Sequence, residues 1–194
     1  YFNLDEYMHK ELFDGVEYVW QVFEKSEKYL EKLFSATPRD QWIQGLVHPQ
    51  AILKGDVIVA EGAKIEPTAY IEGPCFIGPN SIIGTGAYIR GNTILGNRSI
   101  IGHCTEAKNT IMMNHAAAPH FNFIGDCILG SHSNIGAGVI LANYRLDAKA
   151  IPAGDTSTGM IKFGAVLGDD VKVGCNTVLE PGTQNSYAAY AILE

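Results

Sequence analysis

The residues able to do chemistry in this chain gather between positions 90 and 144. Arg90, Glu106 and Lys108 supply charge, His103, His115 and His120 supply three of six imidazoles, and Asn134, Asn143 and Tyr144 supply amides and a phenol. An imidazole ionises near pH 6.5, so a histidine placed there can take a proton from an amine at neutral pH. Three histidines can instead share a zinc ion. His115 and His120 stand five residues apart, and on a coiled chain His103 would lie on a neighbouring turn, so both chemistries are open at this stage. The cysteines are less suggestive: Cys75, Cys104, Cys127 and Cys175 are separated by 29, 23 and 48 residues, with no CxxC pair. Free thiols in a reducing compartment are expected, with Cys75, Cys127 and Cys175 in compact packing positions.

The elements that must hold these residues announce themselves as a repeat. Stepping by six from Val47 meets Leu53, Val59, Ile65, Ile71, Ile77, Ile83, Ile89, Leu95 and Ile101 without a miss. Four residues after each comes a mostly small residue, as in Ala63, Ala69, Cys75, Ser81, Ala87 and Thr93. A step of six suits a short strand and a sharp turn on each face of a prism, with the aliphatic residue inside and the small one in the corner. Three faces make a coil of about 18 residues, stacked at the strand spacing of roughly 4.8 Å. Gly78, Gly84, Gly96 and Gly102 directly follow an aliphatic residue, where turns need little bulk or a positive φ.

The period breaks twice. Met113 and Phe123 are ten residues apart, which predicts one face shortened by two or bulged by four, with His120 inside the slip. A larger break from Asn143 to about Ala165 predicts a projecting loop able to reach a neighbouring column, after which Leu167, Val173 and Leu179 resume the step. Ahead of the repeat, Leu12, Val16, Val19, Phe23, Leu30 and Leu33 follow helical spacing, with Gly15 as a joint and Thr37, Pro38 and Arg39 as the end. Their apolar face is expected to pack on the chain itself. Three regions result: a helical segment (1–40), a β-helix (47–183, with the loop at 145–165), and a tail or cap (184–194) containing Tyr187, Tyr190 and Ile192.

Composition narrows the partners. The 194 residues carry a net charge of −7 with no Lys/Arg cluster, which argues against nucleic acid, and no apolar run approaches the roughly 20 residues of a membrane span. The chain opens on Tyr1 without a signal-peptide pattern, and a cytoplasmic location is expected.

Arg90, the run Glu106-Ala107-Lys108-Asn109, the run Pro119-His120-Phe121-Asn122-Phe123-Ile124-Gly125-Asp126, the run Ser133-Asn134-Ile135-Gly136-Ala137-Gly138, and Ala142-Asn143-Tyr144 together resemble the acetyltransferase domain of the bifunctional N-acetylglucosamine-1-phosphate uridyltransferase/glucosamine-1-phosphate N-acetyltransferase family. The resemblance covers about residues 47–183. It implies a mainly β fold, a left-handed parallel β-helix of hexapeptide repeats behind an N-terminal α-helical segment, assembled as a homotrimer with active sites between subunits. It also implies acetyl-CoA as co-substrate, an amino-sugar phosphate as acceptor, and no metal. His120 is the implied general base and Glu106 the group that orients its ring. Arg90 and Lys108 would hold the sugar phosphate, and Asn134 and Asn143 the sugar and the reacting amide region. Ala137, Tyr144 and Cys175 would face the thioester and coenzyme.

The chain departs from the family in two places. Phe123 stands where the family carries a tyrosine that reaches the phosphate, and Arg145-Leu146-Asp147-Ala148-Lys149 looks more like the acetyltransferase part of archaeal-type bifunctional sugar-1-phosphate nucleotidyltransferases. The 46 residues before the repeat are too few for a nucleotide-binding α/β domain, so no uridyltransferase half is expected within these residues. Alternatives stay open: an acyltransferase on a nucleotide-linked amino sugar, a non-catalytic assembly or regulatory β-helix of a sugar nucleotidyltransferase system, or a zinc protein similar to γ-class carbonic anhydrases using the three histidines. Asn134 and Asn143 can also be read as corner residues in the left-handed conformation.

Overall fold

In the computed structural model, which describes residues 1–185 and the strand Tyr190–Ala191, strands of two to four residues stack into three parallel sheets. Among the described residues the first face has eight strands and starts at Leu46–Val47. The second has seven from Ile52–Lys54, and the third seven from Val57–Val59. Each strand pairs in parallel with the one a full coil away, Val47 with Ile65 and Ile65 with Ile83 on the first face. The expected fold class, a mainly β hexapeptide-repeat β-helix behind a helical segment, is the one observed. The six-step aliphatics form its axis, from Val59 through Ile65, Ile71, Ile77, Ile83 and Ile89 to Leu95 and Ile101, all at most 3% exposed.

The slip has a different form from the one expected. Lys108 still pairs 18 residues back with Arg90, but Met112 pairs with Leu95 and Ala118 with Ile101, 17 residues back. One residue is therefore missing from the corner between Ala107 and Met112. A second is missing between Ile124 and Leu129, since Leu129 pairs with Met112. Met112, not Met113, fills the axis, and Met113 packs in the outer apolar cluster beneath the N-terminal segment. His120 lies outside both shortenings, at the end of the strand Ala117–His120.

Corner chemistry also differs from expectation. Gly78, Gly84, Gly96 and Gly102 do not adopt positive φ; Asn80, Asn92, Cys104, Asn109, Phe121 and Asp126 do. Those glycines answer to the next coil instead. A β-carbon on Gly102 would run into the backbone carbonyl of Pro119, one turn above.

The third face is apolar on both sides. Its outward residues Ile58, Phe76, Ile94, Ile111, Ile128 and Val166 stand in register, each at most 6% exposed. They are covered by the chain's own N-terminal segment, as expected. That segment is two short 3-10 turns, Lys10–Phe13 and Val19–Gln21, followed by one α-helix, α1 (Val22–Ala36). Gly15, at φ +68°, breaks it as the expected joint. Val22, Ser26, Leu30 and Phe34 recur every four residues along the buried stripe of α1. The helix ends where Thr37 turns its hydroxyl and its N–H onto the Leu33 carbonyl, before Pro38.

The insertion at 143–164 folds back rather than standing free. It forms a small antiparallel hairpin, Pro152–Ala153 with Thr156–Ser157, and buries Ile151 and Phe163 in the same cluster as Trp20 and α1. Its first residues, with Leu146 fully exposed, remain at the surface. Of the expected cap, Tyr190 continues the first face beside Lys172, whereas Tyr187 and Ile192 lie outside the described residues.

Candidate functional site

The second face turns alternate side chains outward, and one of its columns carries charge. Glu72 and Arg90 are followed by Lys108 and Gly125, the last three in strict register. The neighbouring column runs Tyr70, Tyr88, Glu106, Phe123 and Ile140. Adjacent strands lie about 4.8 Å apart, so Arg90 and Lys108 set two cationic residues on neighbouring coils of an acidic protein. Arg90 is not free: its guanidinium meets the Glu106 carboxylate at 3.1 Å. Glu72 is held by Lys54 at 3.0 Å and by the Tyr88 hydroxyl at 3.0 Å, and these hydrogen bonds lower its carboxyl from the ordinary range.

The corner leading into this face forms a second line. The Phe121 N–H donates to the His103 carbonyl, the Gly138 N–H to the His120 carbonyl, and the Asn176 N–H to the Ala137 carbonyl. His120, Ala137 and Cys175 are thus brought together on three successive coils. His120 is exposed, and Cys175 is exposed too, contrary to its expected packing position, whereas Cys75 and Cys127 are fully buried with thiols pushed up to about 12 by desolvation. All four thiols are free. Buried Asn122 ties this corner: it accepts from the His120 N–H at 3.2 Å and donates to the Gly136 carbonyl at 2.6 Å. Sequence reasoning assigned no task to Asn122.

The corner leaving the second face holds Asn109, Asp126 and Asn143. Asn109 and Asn143 each donate a side-chain amide to Asp126, at 2.7 and 2.6 Å. Together with Arg90 and Lys108, Asn109 and Asp126 line a groove of about 460 Å³ closed on one side by Phe23 of α1.

Several expected partnerships change. Glu106 is bonded to Arg90, not to the His120 ring. Asn134 stands apart on the first face, paired with Ala117 and Lys172. Neither Asn134 nor Asn143 adopts the left-handed conformation, so that reading of both fails, although Asn143 does sit at a corner. Tyr144 is half exposed and opens the insertion by bridging to Lys162. The three histidines of the zinc alternative are split between corners. His103 and His120 are neighbours in register, but His115 stacks on His132 at the corner between the third and first faces, with ring centroids 4.5 Å apart. Among the described residues, no three His, Cys, Asp or Glu side chains gather as metal ligands, and no helix is long and apolar enough to cross a membrane.

The family model described as the GMPPB C-terminal domain matches residues 71–184. Among curated proteins, the chain is 45% identical over 168 residues to the bifunctional protein GlmU of Methanococcus maripaludis, covering 85% of this chain and 39% of that protein. The GlmU of Methanocaldococcus jannaschii is 34% identical over 168 residues, covering 85% and 40%. The bifunctional sugar-1-phosphate nucleotidylyltransferase/acetyltransferase of Sulfurisphaera tokodaii is 37% identical over 90 residues, covering 44% and 22%. The chain spans about two fifths of the length of each of these two GlmU proteins.

Proposed function

This chain belongs to the GMPPB C-terminal domain family, and from its corner and face geometry we propose that the column at 47–183 transfers an acetyl group from acetyl-CoA to the 2-amino group of a hexosamine 1-phosphate, with glucosamine 1-phosphate as acceptor. The name of the nucleotidylyltransferase/acetyltransferase relative supports the sugar-1-phosphate and acetyl parts of this reading. One observation carries it: an exposed imidazole, His120, shares a corner with Ala137 and Cys175 and adjoins a face that sets Arg90 beside Lys108.

In this reaction the two cations hold the sugar phosphate, Arg90 as a planar fork and Lys108 as a point charge. His120 removes a proton from the acceptor ammonium, whose own pKa near 8 leaves it largely protonated at neutral pH. His120 passes this first proton to solvent; the free amine then adds to the acetyl carbonyl carbon, and as the carbon–sulfur bond of the thioester breaks the nitrogen's second proton passes through His120 to the departing thiolate, which leaves as the coenzyme thiol. Ala137 and Cys175 leave their corner open for the pantetheine arm, while Tyr144 stands at the opposite corner of the second face, where the insertion begins. Asn134, on the first face, completes the site from the neighbouring column of a homotrimer. Free thiols fit a cytoplasmic enzyme.

The test follows thiol release from acetyl-CoA with a panel of amino-sugar phosphates and nucleotide-linked amino sugars. Turnover is expected with a hexosamine 1-phosphate, and His120→Ala should lower it by about 100-fold or more. No turnover with any acceptor refutes the reading. Two observations favour a second one, a non-catalytic assembly β-helix: Glu106 is engaged by Arg90, and Phe123 offers no hydroxyl. Full activity in His120→Ala would support it.

A further inference from the structure

Asp126 is nearly buried, at 5% exposure, yet faces no lysine or arginine at ion-pair distance among the described residues. Its charge is met by two side-chain amides instead. Asn109, one coil below, donates to Oδ1 at 2.7 Å, and Asn143, one coil above, donates to Oδ2 at 2.6 Å. The backbone holds the carboxylate in place: the Asp126 N–H donates to the Lys108 carbonyl and its own carbonyl accepts from Gly164, both at 2.9 Å. Gly125 makes the approach possible. A β-carbon there would strike the Asn143 amide nitrogen and lie 2.9 Å from its Cγ.

A carboxylate can only accept, so the amide of Asn143 has no choice of face. Its NH₂ must point inward to Asp126, and its Oδ1 must point away. We infer that Asp126 is a positioning residue that fixes the Asn143 amide with its oxygen presented outward, as an acceptor for an N–H of the bound acyl donor or acceptor. This rests on the acetyl-transfer reading above for the use of that oxygen, but not for its orientation. An unoriented asparagine would offer donor and acceptor in turn; a charged, buried partner removes that ambiguity before the substrate arrives.

The test exchanges the acceptor. Asp126→Asn keeps the shape but sets an NH₂ against one of the two asparagine amides. Relief comes if Asn143 turns over, which presents its NH₂ outward. The double exchange Asp126→Asn/Asn143→Asp restores one inward hydrogen bond and an outward oxygen, while Asn109 keeps its acceptor. With a hexosamine 1-phosphate acceptor, kcat should fall about 10- to 100-fold in Asp126→Asn, with KM within about twofold, and the double exchange should recover most of the loss. Amide NMR decides the orientation independently of turnover. In the wild type, the Asn143 side-chain protons should be protected from exchange, and in Asp126→Asn that protection should vanish. Unchanged Asn143 protection in Asp126→Asn overturns the inference, as does wild-type kcat. If the single variant does not fold, an unprotected Asn143 amide in the wild type overturns it, as does a folded double exchange whose kcat stays 10-fold or more below the wild type, whereas a double exchange that keeps most of the wild-type kcat upholds it. A wild type without turnover but with a protected amide would count against the proposed function alone.

Discussion

Removing the carboxylate of Glu106 should tighten the binding of a phosphorylated acceptor. Arg90 lies 3.1 Å from Glu106, with side chains 40% and 35% exposed. Two unit charges at that distance attract by ~1.3 kcal/mol at the dielectric constant of water and ~5 kcal/mol at an effective value near 20. Exposure at this level places the pair near the solvent limit, where measured ion pairs are worth roughly 0.2–1 kcal/mol after screening and side-chain entropy. A phosphate arriving at Arg90 must displace this contact and then sit beside the carboxylate. Glu106→Gln abolishes both penalties, so KM for a hexosamine 1-phosphate should fall about two- to fivefold at low salt, the equivalent of roughly 0.5–1 kcal/mol. The advantage should shrink toward unity in ~0.5 M salt, where screening acts within a few ångströms. The global stability should change by no more than about 0.5 kcal/mol in urea unfolding. Steady-state kinetics at two ionic strengths read all of this except stability. A KM that rises, or stays unchanged at low salt, refutes the view that Glu106 competes for Arg90.

Two further predictions concern the segment that covers the third face. His9 is 1% exposed, bonded to the Tyr29 hydroxyl at 2.7 Å and set edge-on to Phe76, and desolvation pulls its pKa down from 6.5 to about 4. The native state therefore binds fewer protons than the unfolded chain. The resulting stability is fully present above pH 6.5 and is lost as pH falls from 6.5 through 4, by about 3 kcal/mol. Urea unfolding between pH 7 and 4 should show this loss in the wild type and a flatter curve in His9→Gln; parallel curves would contradict it. Phe163, fully buried with Trp20 and Phe23 at centroid distances of 6.0 and 6.3 Å, pins the insertion to the same segment. Phe163→Ala should cost about 3–5 kcal/mol by chemical denaturation, and a loss below ~1 kcal/mol would mean that the insertion is not folded down as described.

The column was legible because a residue facing the axis recurs at a step that no helix or hairpin shares, and an inward aliphatic cannot be exchanged for a polar group without cost. The slip was misplaced for an equally physical reason. Met112 and Met113 are both apolar and both buried, one in the axis and one beneath the N-terminal segment, so hydrophobicity alone does not say which points in. Paired apolar residues are only a partial signal. Doublets such as Ile82-Ile83 and Ile140-Leu141 occur on the first and second faces too, with the outward member partly exposed; the ones whose outward residue is buried, Ile58-Val59, Phe76-Ile77, Ile94-Leu95, Ile111-Met112, Ile128-Leu129 and Val166-Leu167, stand on the third. A strand apolar on both sides must be covered on both. Those doublets mark where the helical segment and the insertion dock, and they also leave the other two faces as the ones able to meet another column.

The side chains of the candidate site were named through their motif, but their partners depend on register, and register depends on two missing residues. Coils of 18 would set Asn109 beneath Cys127 and Asp126 beneath Tyr144. Because the corners after Ala107 and Ile124 are each one residue short, the step through this region is 17, and Asn109, Asp126 and Asn143 fall into one column. The same shortening sets His103, His120 and Ala137 in line on the opposite corner, with Cys175 continuing the line beyond the insertion. A strict 18-residue coil would have placed Phe121 above His103 and Gly138 above His120. Reinserting one residue into either corner would leave every side chain of the site in the chain and shift its partners out of line. The chemistry proposed for this column therefore depends as much on the two shortened corners as on the residues that carry the functional groups.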